Sequence, residues 1–143
     1  MTPREIELIR NSFAKVRPAA TFVAQMFYAR LFRLAPEVKA LFGADMQAQR
    51  ESLMAALEEV VLRLEDFDAL LPLVKGLAHR HVGFGVEAAH YEPVGDALIW
   101  ALGQALGPAF DEETKAAWRV AYGAMSSAMI ASAYPGAPGV AAE

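Results

Sequence analysis

Prolines and glycines cut this sequence into stretches that each repeat at helical spacing, and no stretch alternates as a half-buried strand would. Such a chain can bury its apolar stripes only by packing helix on helix. Thr2-Pro3-Arg4-Glu5 opens the first helix, with Thr2 as N-cap, Pro3 at the first helical position and Glu5 closing a capping box. After Pro18 a second helix carries Val23, Phe27, Leu31 and Leu34 at helical spacing. It ends at Ala35-Pro36, because the residue before a proline disfavours helical backbone. Residues 36–42 read as a short helical turn closed by Gly43. Leu53, Ala56, Leu57, Val60, Val61 and Leu64 then form one apolar stripe, flanked by Arg50, Glu51, Glu58, Glu59 and Arg63. Residues 66–86 make a weaker helix, interrupted by Pro72 and ended by Gly83 and Gly85. A strongly apolar helix over 91–106 stops at Gly107-Pro108. The last starts at Asp111-Glu112-Glu113, acidic where the helix dipole favours it, and runs to about Ala133. Its small residues Ala117, Ala121, Ala124 and Ala128, with Gly123 beside them, predict close approach of a neighbouring helix.

The 143 residues suffice for one domain, read here as 1–134 followed by a flexible Pro/Gly tail over 135–143. With 55% hydrophobic and 21% charged residues, a disordered chain is excluded. Thirteen Lys and Arg are scattered among 17 Asp and Glu, a net charge of −4 that does not suit nucleic acid. No cysteine is present, so thiolate nucleophiles, disulfides, iron–sulfur clusters and thiolate zinc sites fall away. The opening MTPREIELIRNSF lacks the apolar run of a secretory signal. A charge-free run follows Arg119, but its helix-compatible part, 120–134, falls short of the roughly 20 residues a span needs. A soluble, cytoplasmic protein without stable membrane insertion is expected.

Three histidines, His79, His81 and His90, lie within twelve positions. His81 extends the stripe Leu70, Leu73, Val74, Leu77, while His79 falls about 200° away. His81 therefore points inward and His79 outward. No HExxH and no second inward histidine at i+3 or i+4 accompanies it, so a zinc cage is not available. No serine sits in a nucleophile elbow and no glycine-rich phosphate loop occurs. Two readings of His81 stay open: a core histidine bonded to a main-chain carbonyl, or the axial ligand of a haem iron. Aromatic residues weigh on this choice. Phe22, Phe27, Tyr28, Phe32 and Phe42 crowd the second and third helices, and a buried Tyr28 needs a partner for its hydroxyl. Gln49 and Leu53 open the following stripe, so Tyr28, Gln49 and Leu53 can converge on one cavity.

Several stretches in order resemble the globins, specifically bacterial single-domain haemoglobins of the flavohaemoglobin type. They are Phe27-Tyr28-Ala29-Arg30-Leu31-Phe32, Pro36-Glu37-Val38 through Leu41-Phe42, and Arg80-His81-Val82-Gly83-Phe84-Gly85-Val86. Ala89-His90-Tyr91 with Pro93-Val94-Gly95, and Ala117-Trp118 with Ala121-Tyr122-Gly123, continue the likeness, which runs from about residue 5 to residue 134. The resemblance implies an all-α globin fold of about six to eight helices enclosing a haem pocket. By it, His81 would be the proximal iron ligand, Phe42 the ring stacked on haem, and Tyr28 the distal hydrogen-bond donor. Gln49 would be the distal glutamine, Leu53 the apolar residue over the iron and Tyr91 the proximal tyrosine, with Leu77 and Val86 completing the haem-binding set. Pro36 would start the short third helix. The family's proximal glutamate falls at Ala133, leaving its His–Tyr–Glu network incomplete.

Reversible binding of dioxygen by haem b, for storage, delivery or scavenging, is the expected function, with carbon monoxide and nitric oxide as further ligands. That makes the chain a binding protein rather than an enzyme. Nitric-oxide dioxygenation is the rival. The family's flavin and nicotinamide modules have no counterpart in these residues, so a separate reductase would supply its electrons. A third reading, electron transfer through a six-coordinate haem, would need Met26, Met46 or Met54 as second ligand, since position 49 is Gln. A haem-free helical signalling module is the fourth.

Overall fold

The structure, a computed structural model, describes residues 1–42, 45–83 and 87–133. Within them the chain forms six α-helices: α1 Pro3–Val16, α2 Ala20–Leu34, α3 Met46–Leu62, α4 Phe67–Gly83, α5 Tyr91–Leu106 and α6 Glu112–Ala133. Four short 3-10 turns, Arg17–Ala19, Pro36–Leu41, Ala88–His90 and Gly107–Ala109, join them. This is the all-α layout expected. Gly43, Val86 and the 135–143 tail lie outside the described residues.

Local chemistry sets the helix ends. Thr2 Oγ1 accepts from Glu5 N at 3.1 Å and Glu5 Oε1 accepts from Thr2 N at 2.8 Å, the reciprocal capping box. Asp45 caps α3 by accepting from Ala48 N at 3.1 Å, and Asp111 caps α6 by accepting from Thr114 N at 2.8 Å. That last bond holds the Asp111 carboxyl below its ordinary range. Gly107, at φ 56°, supplies the left-handed residue that closes α5. Arg10 of α1 donates to the carbonyls of Val61 and Leu62, at 3.1 and 3.0 Å, and so covers the exposed end of α3.

Pro72 does not interrupt α4, as the sequence led us to expect; the helix runs through it. The proline stands five residues after Phe67, so the carbonyl it leaves without a partner is that of Asp68, in the first turn. Both residues are exposed, and water can satisfy the carbonyl. Leu64 departs from the stripe in another way. It is buried, but in the turn after α3, whose helix ends at Leu62. Phe22, expected among the crowded aromatics, is 42% exposed. Nor does Gly123 mark a close approach, for a Cβ there would meet nothing within 4 Å, and Ala124 is exposed. The tight crossing is at Gly95 of α5. An added Cβ would come within 2.5 Å of the Tyr122 ring on α6.

The apolar interior falls into two clusters. The larger joins α1, α2, α3, α5 and the first half of α6, with Ile9, Leu31 and Leu102 wholly buried within it. At the α1–α6 joint, Trp118 Nε1 donates to Ser12 Oγ at 2.8 Å, and that hydroxyl donates to the carbonyl of Leu8 at 2.8 Å. The smaller cluster is α4 laid on the second half of α6, with Leu70, Val74, Ala78, Tyr91 and Met129 at its centre.

Candidate functional site

His81 lies in the last turn of α4, half-buried, while His79 two residues before it is exposed. The inward and outward assignments from helical phase hold. His81 Nδ1 lies 2.6 Å from the carbonyl oxygen of Leu77, one turn back. A carbonyl can only accept, so Nδ1 carries a proton, and in the neutral tautomer this bond selects, Nε2 carries the lone pair. The bond also fixes the ring's rotation, the arrangement metal-ligating histidines use. Tyr91, at the start of α5, stacks on the imidazole with ring centroids 6.4 Å apart and planes at 27°. Leu77 and Ala133 pack against the same small cluster as Tyr91. Position 133 thus offers that cluster a methyl group and no carboxylate.

Tyr28, Phe42, Gln49 and Leu53 belong to the other cluster. Tyr28 is buried on α2, and its ring meets Phe27, Phe32 and Phe42 at 4.8, 5.9 and 5.4 Å. Phe32 and Phe42 meet edge-on at 5.5 Å. The Tyr28 hydroxyl donates to the main-chain carbonyl of Gln49 at 3.3 Å. Tyr28 and Gln49 therefore converge, but through the backbone of α3 rather than through the glutamine side chain. That bond is long for an O–H donor and cheap to give up. Burial pushes the Tyr28 phenol up to about 12, with Arg50 opposing the shift, so it stays a donor at neutral pH. Leu53 and Phe42 are half-buried against the same cluster. Val86 lies outside the described residues.

One residue escaped assignment from the sequence. Tyr122 of α6 donates to the carbonyl of Tyr91 at 2.5 Å, while its ring covers Gly95. Burial first, then Tyr91 and Asp96, push its phenol well above the ordinary range. Its spacing was the available signal: Tyr122 follows the buried Trp118 by one helical turn, on the apolar side of α6.

Among the described residues no group of three or more His, Asp or Glu could hold a metal ion. No described helix is long and apolar enough to cross a membrane.

The family model for globins matches residues 25–129. The chain belongs to the globin family. Curated relatives include the flavohemoprotein of Bordetella parapertussis, 31% identical over 91% of this globin chain and 33% of the relative. The chain thus spans about one third of the length of the curated relatives it matches. Among solved structures, a bacterial globin from Campylobacter jejuni aligns with a TM-score of 0.82 at 30% identity, over 92% of this chain and 96% of that one. An engineered carbene transferase from Rhodothermus marinus aligns at 0.84 with 24% identity, over 93% of each chain, and speaks for the globin fold alone.

Globins bind haem, and haem binds diatomic gases. The residues present fit such a group. A neutral imidazole held by its Nδ1 proton is the donor that haem iron takes, and two apolar clusters that do not merge among the described residues can flank a planar apolar ligand.

Proposed function

We propose that this globin binds dioxygen reversibly on haem b, with His81 as the iron ligand and no catalytic residue of its own. The observation that carries the reading is the Nδ1–H bond from His81 to the Leu77 carbonyl, which leaves Nε2 to coordinate. When bound, haem iron supplies the reversible coordination of a diatomic gas. Phe42, Leu53, Leu77 and Val86 would wall the group with apolar surface and keep water out. Tyr28 would offer its hydroxyl to a polar ligand by leaving the Gln49 carbonyl, and the Gln49 side chain would stand as a second donor. With Ala133 where the flavohaemoglobin pattern has a carboxylate, His81 shares its Nδ1 proton with a neutral carbonyl. A neutral proximal ligand favours holding a gas over activating it.

The likeness to flavohemoproteins supports a second reading, nitric-oxide dioxygenation with electrons from a separate reductase. Conversion of nitric oxide to nitrate in the presence of a generic reductase distinguishes the two. The domain reading, 1–134 with a tail after it, belongs to the same proposal.

Substitution of the ligand tests the assignment. His81→Ala is expected to abolish tight haem binding or change the ferrous and carbon-monoxide spectra, whereas His79→Ala and His90→Ala leave them intact. An unchanged iron–histidine stretch in His81→Ala would reject His81 as the ligand.

A further inference from the structure

A groove on the molecule lies away from the candidate haem site. It is an open cavity of about 510 Å³ between α2, α5, the Gly107 turn and the start of α6. None of the described candidate haem residues lines it. Its volume falls in the range of small-molecule sites, roughly 300–1,000 Å³.

Its chemistry runs against that of the chain. The protein carries a net charge of −4, yet three cations, Arg30, Lys115 and Arg119, line this groove beside a single carboxylate, Asp96. Lys115 leans on Glu112 at 3.8 Å, a partner that is itself almost wholly exposed. Arg30, Arg119 and Asp96 make no ion pair among the described residues. Two guanidinium groups therefore face the groove with their carboxylate-binding capacity unused. Arg30 is also fixed in place, its guanidinium lying 5.0 Å from the centre of the Trp100 ring. Much of the remaining wall is apolar: Trp100, Phe110, Ile99 and an exposed Leu34.

We propose that this groove is a binding site for a small organic monoanion with an aromatic body. A carboxylate would take charge-assisted hydrogen bonds from both Arg30 and Arg119, with Lys115 adding charge. The ring would rest against Trp100 and Phe110. Three cations are too few, and Asp96 too close, for a polyanion or a nucleic acid to gain by binding here. The cations would hold the one charge, and the aromatic wall would take the apolar body.

The two tryptophans make the test internal. Trp100 lines the groove, whereas Trp118 is buried against Ser12 in the large cluster. The haem-loaded, carbon-monoxide-bound protein, with its haem site filled, is labelled with ¹⁵N and titrated with 2-naphthoate. The Trp100 indole signal is expected to move saturably while that of Trp118 stays still. Arg119→Gln and Arg30→Gln should each weaken binding at least about tenfold, the loss of one charge-assisted hydrogen bond. Asp96→Asn should tighten it, because the only repelling charge in the wall is gone. Absence of a saturable Trp100 shift would overturn the proposal. So would an equal response to uncharged 2-naphthalenemethanol, a shift of Trp118 or the haem bands instead, or full affinity in both arginine variants. None of these outcomes depends on which residue ligates the haem.

Discussion

The two clusters of the interior do different work. The larger is a conventional helical core: five of the six helices contribute, three aromatic rings surround Tyr28, and Ile9, Leu31 and Leu102 are sealed from water. Truncating such a residue costs about 2–5 kcal/mol. In the smaller cluster one helix, α4, lies mainly on one partner, α6, over five buried residues among those described. Pro72 and Gly76 in its interior, and Gly83 at its end, disfavour helix. The difference teaches where a ligand must contribute. Among the described residues, the half that carries His81 buries fewer apolar side chains than the half built on α1, α2 and α5, so the stabilising contribution of a ligand is expected there.

The largest expected effect follows directly. Haem that binds only the native fold stabilises it by about 4 kcal/mol at a thousand times its Kd, or roughly a thousandfold in protection. On removal of haem, amides of α4 should lose protection on that order, while those of α1, α2 and α5 change far less. Hydrogen exchange on the haem-free and haem-loaded protein reads this segment by segment. Equal protection of α4 in both forms would show that the small cluster stands unaided, and the contrast between the halves would collapse.

Tyr28 probes the other half at its boundary with the ligand. A hydroxyl donated to a polarised gas is worth about 1.5–3 kcal/mol, or about 10- to 150-fold. Tyr28→Phe keeps the ring contacts with Phe27, Phe32 and Phe42 and removes only the donor. Dioxygen should then dissociate at least about tenfold faster, and carbon monoxide much less so. The Gln49 side chain can take over part of the role, so Tyr28→Phe, Gln49→Leu must be measured beside it. A change under about twofold in both variants would make Tyr28 a packing residue. The same substitution has a signature in pH. Burial raises the Tyr28 phenol from 10.0 to about 12 in the folded chain. Unfolding frees it to ionise first, so its contribution is intact below pH 10 and lost as pH climbs toward 12. Urea midpoints of Tyr28→Phe should therefore fall less steeply across that interval.

Much of this was legible in one sequence. The cap at Thr2, the acidic start of the last helix at Asp111, the stop at Gly107 and the inward phase of His81 depend on neighbours a turn or less away, and all appear in the structure. What failed depended on distance along the chain. Pro72 was expected to interrupt its helix because a proline removes a donor wherever it falls, and only the structure shows that the carbonyl it strands belongs to an exposed first-turn residue. Phe22 looked like core for want of knowing which turn of α2 faces out. Gly123 and Gly95 are both glycines on apolar helices, and only the crossing of α5 with α6 shows which one a ring covers. At the site, the burial of Tyr28 and the stripe opened by Gln49 and Leu53 brought Tyr28 and Gln49 together, but a bond to a main-chain carbonyl leaves no mark in residue types.

The α5–α6 crossing joins the two halves, and its expected effects are the smallest. Tyr122 packs with the large cluster, yet its hydroxyl donates to the carbonyl of Tyr91, a residue of the small one. That bond is a strut between them. Tyr91 lies at the start of α5, so its carbonyl also faces the helical N–H of Gly95 and is not stranded when the hydroxyl goes. Tyr122→Phe should consequently cost only about 0.5–1.5 kcal/mol overall. Gly95→Ala forces a methyl to within 2.5 Å of the same ring and should cost about 1–3 kcal/mol. A ring released from its strut can tilt away from that methyl, so the double variant should cost less than the sum. The direction of the loss decides the role. A strut that carries the α4 half on the large core should, when cut, lower α4 protection in hydrogen exchange while leaving α2 unchanged. Equal losses in both would mean that Tyr122 merely fills space between α5 and α6, and that the small cluster is held by α6 alone.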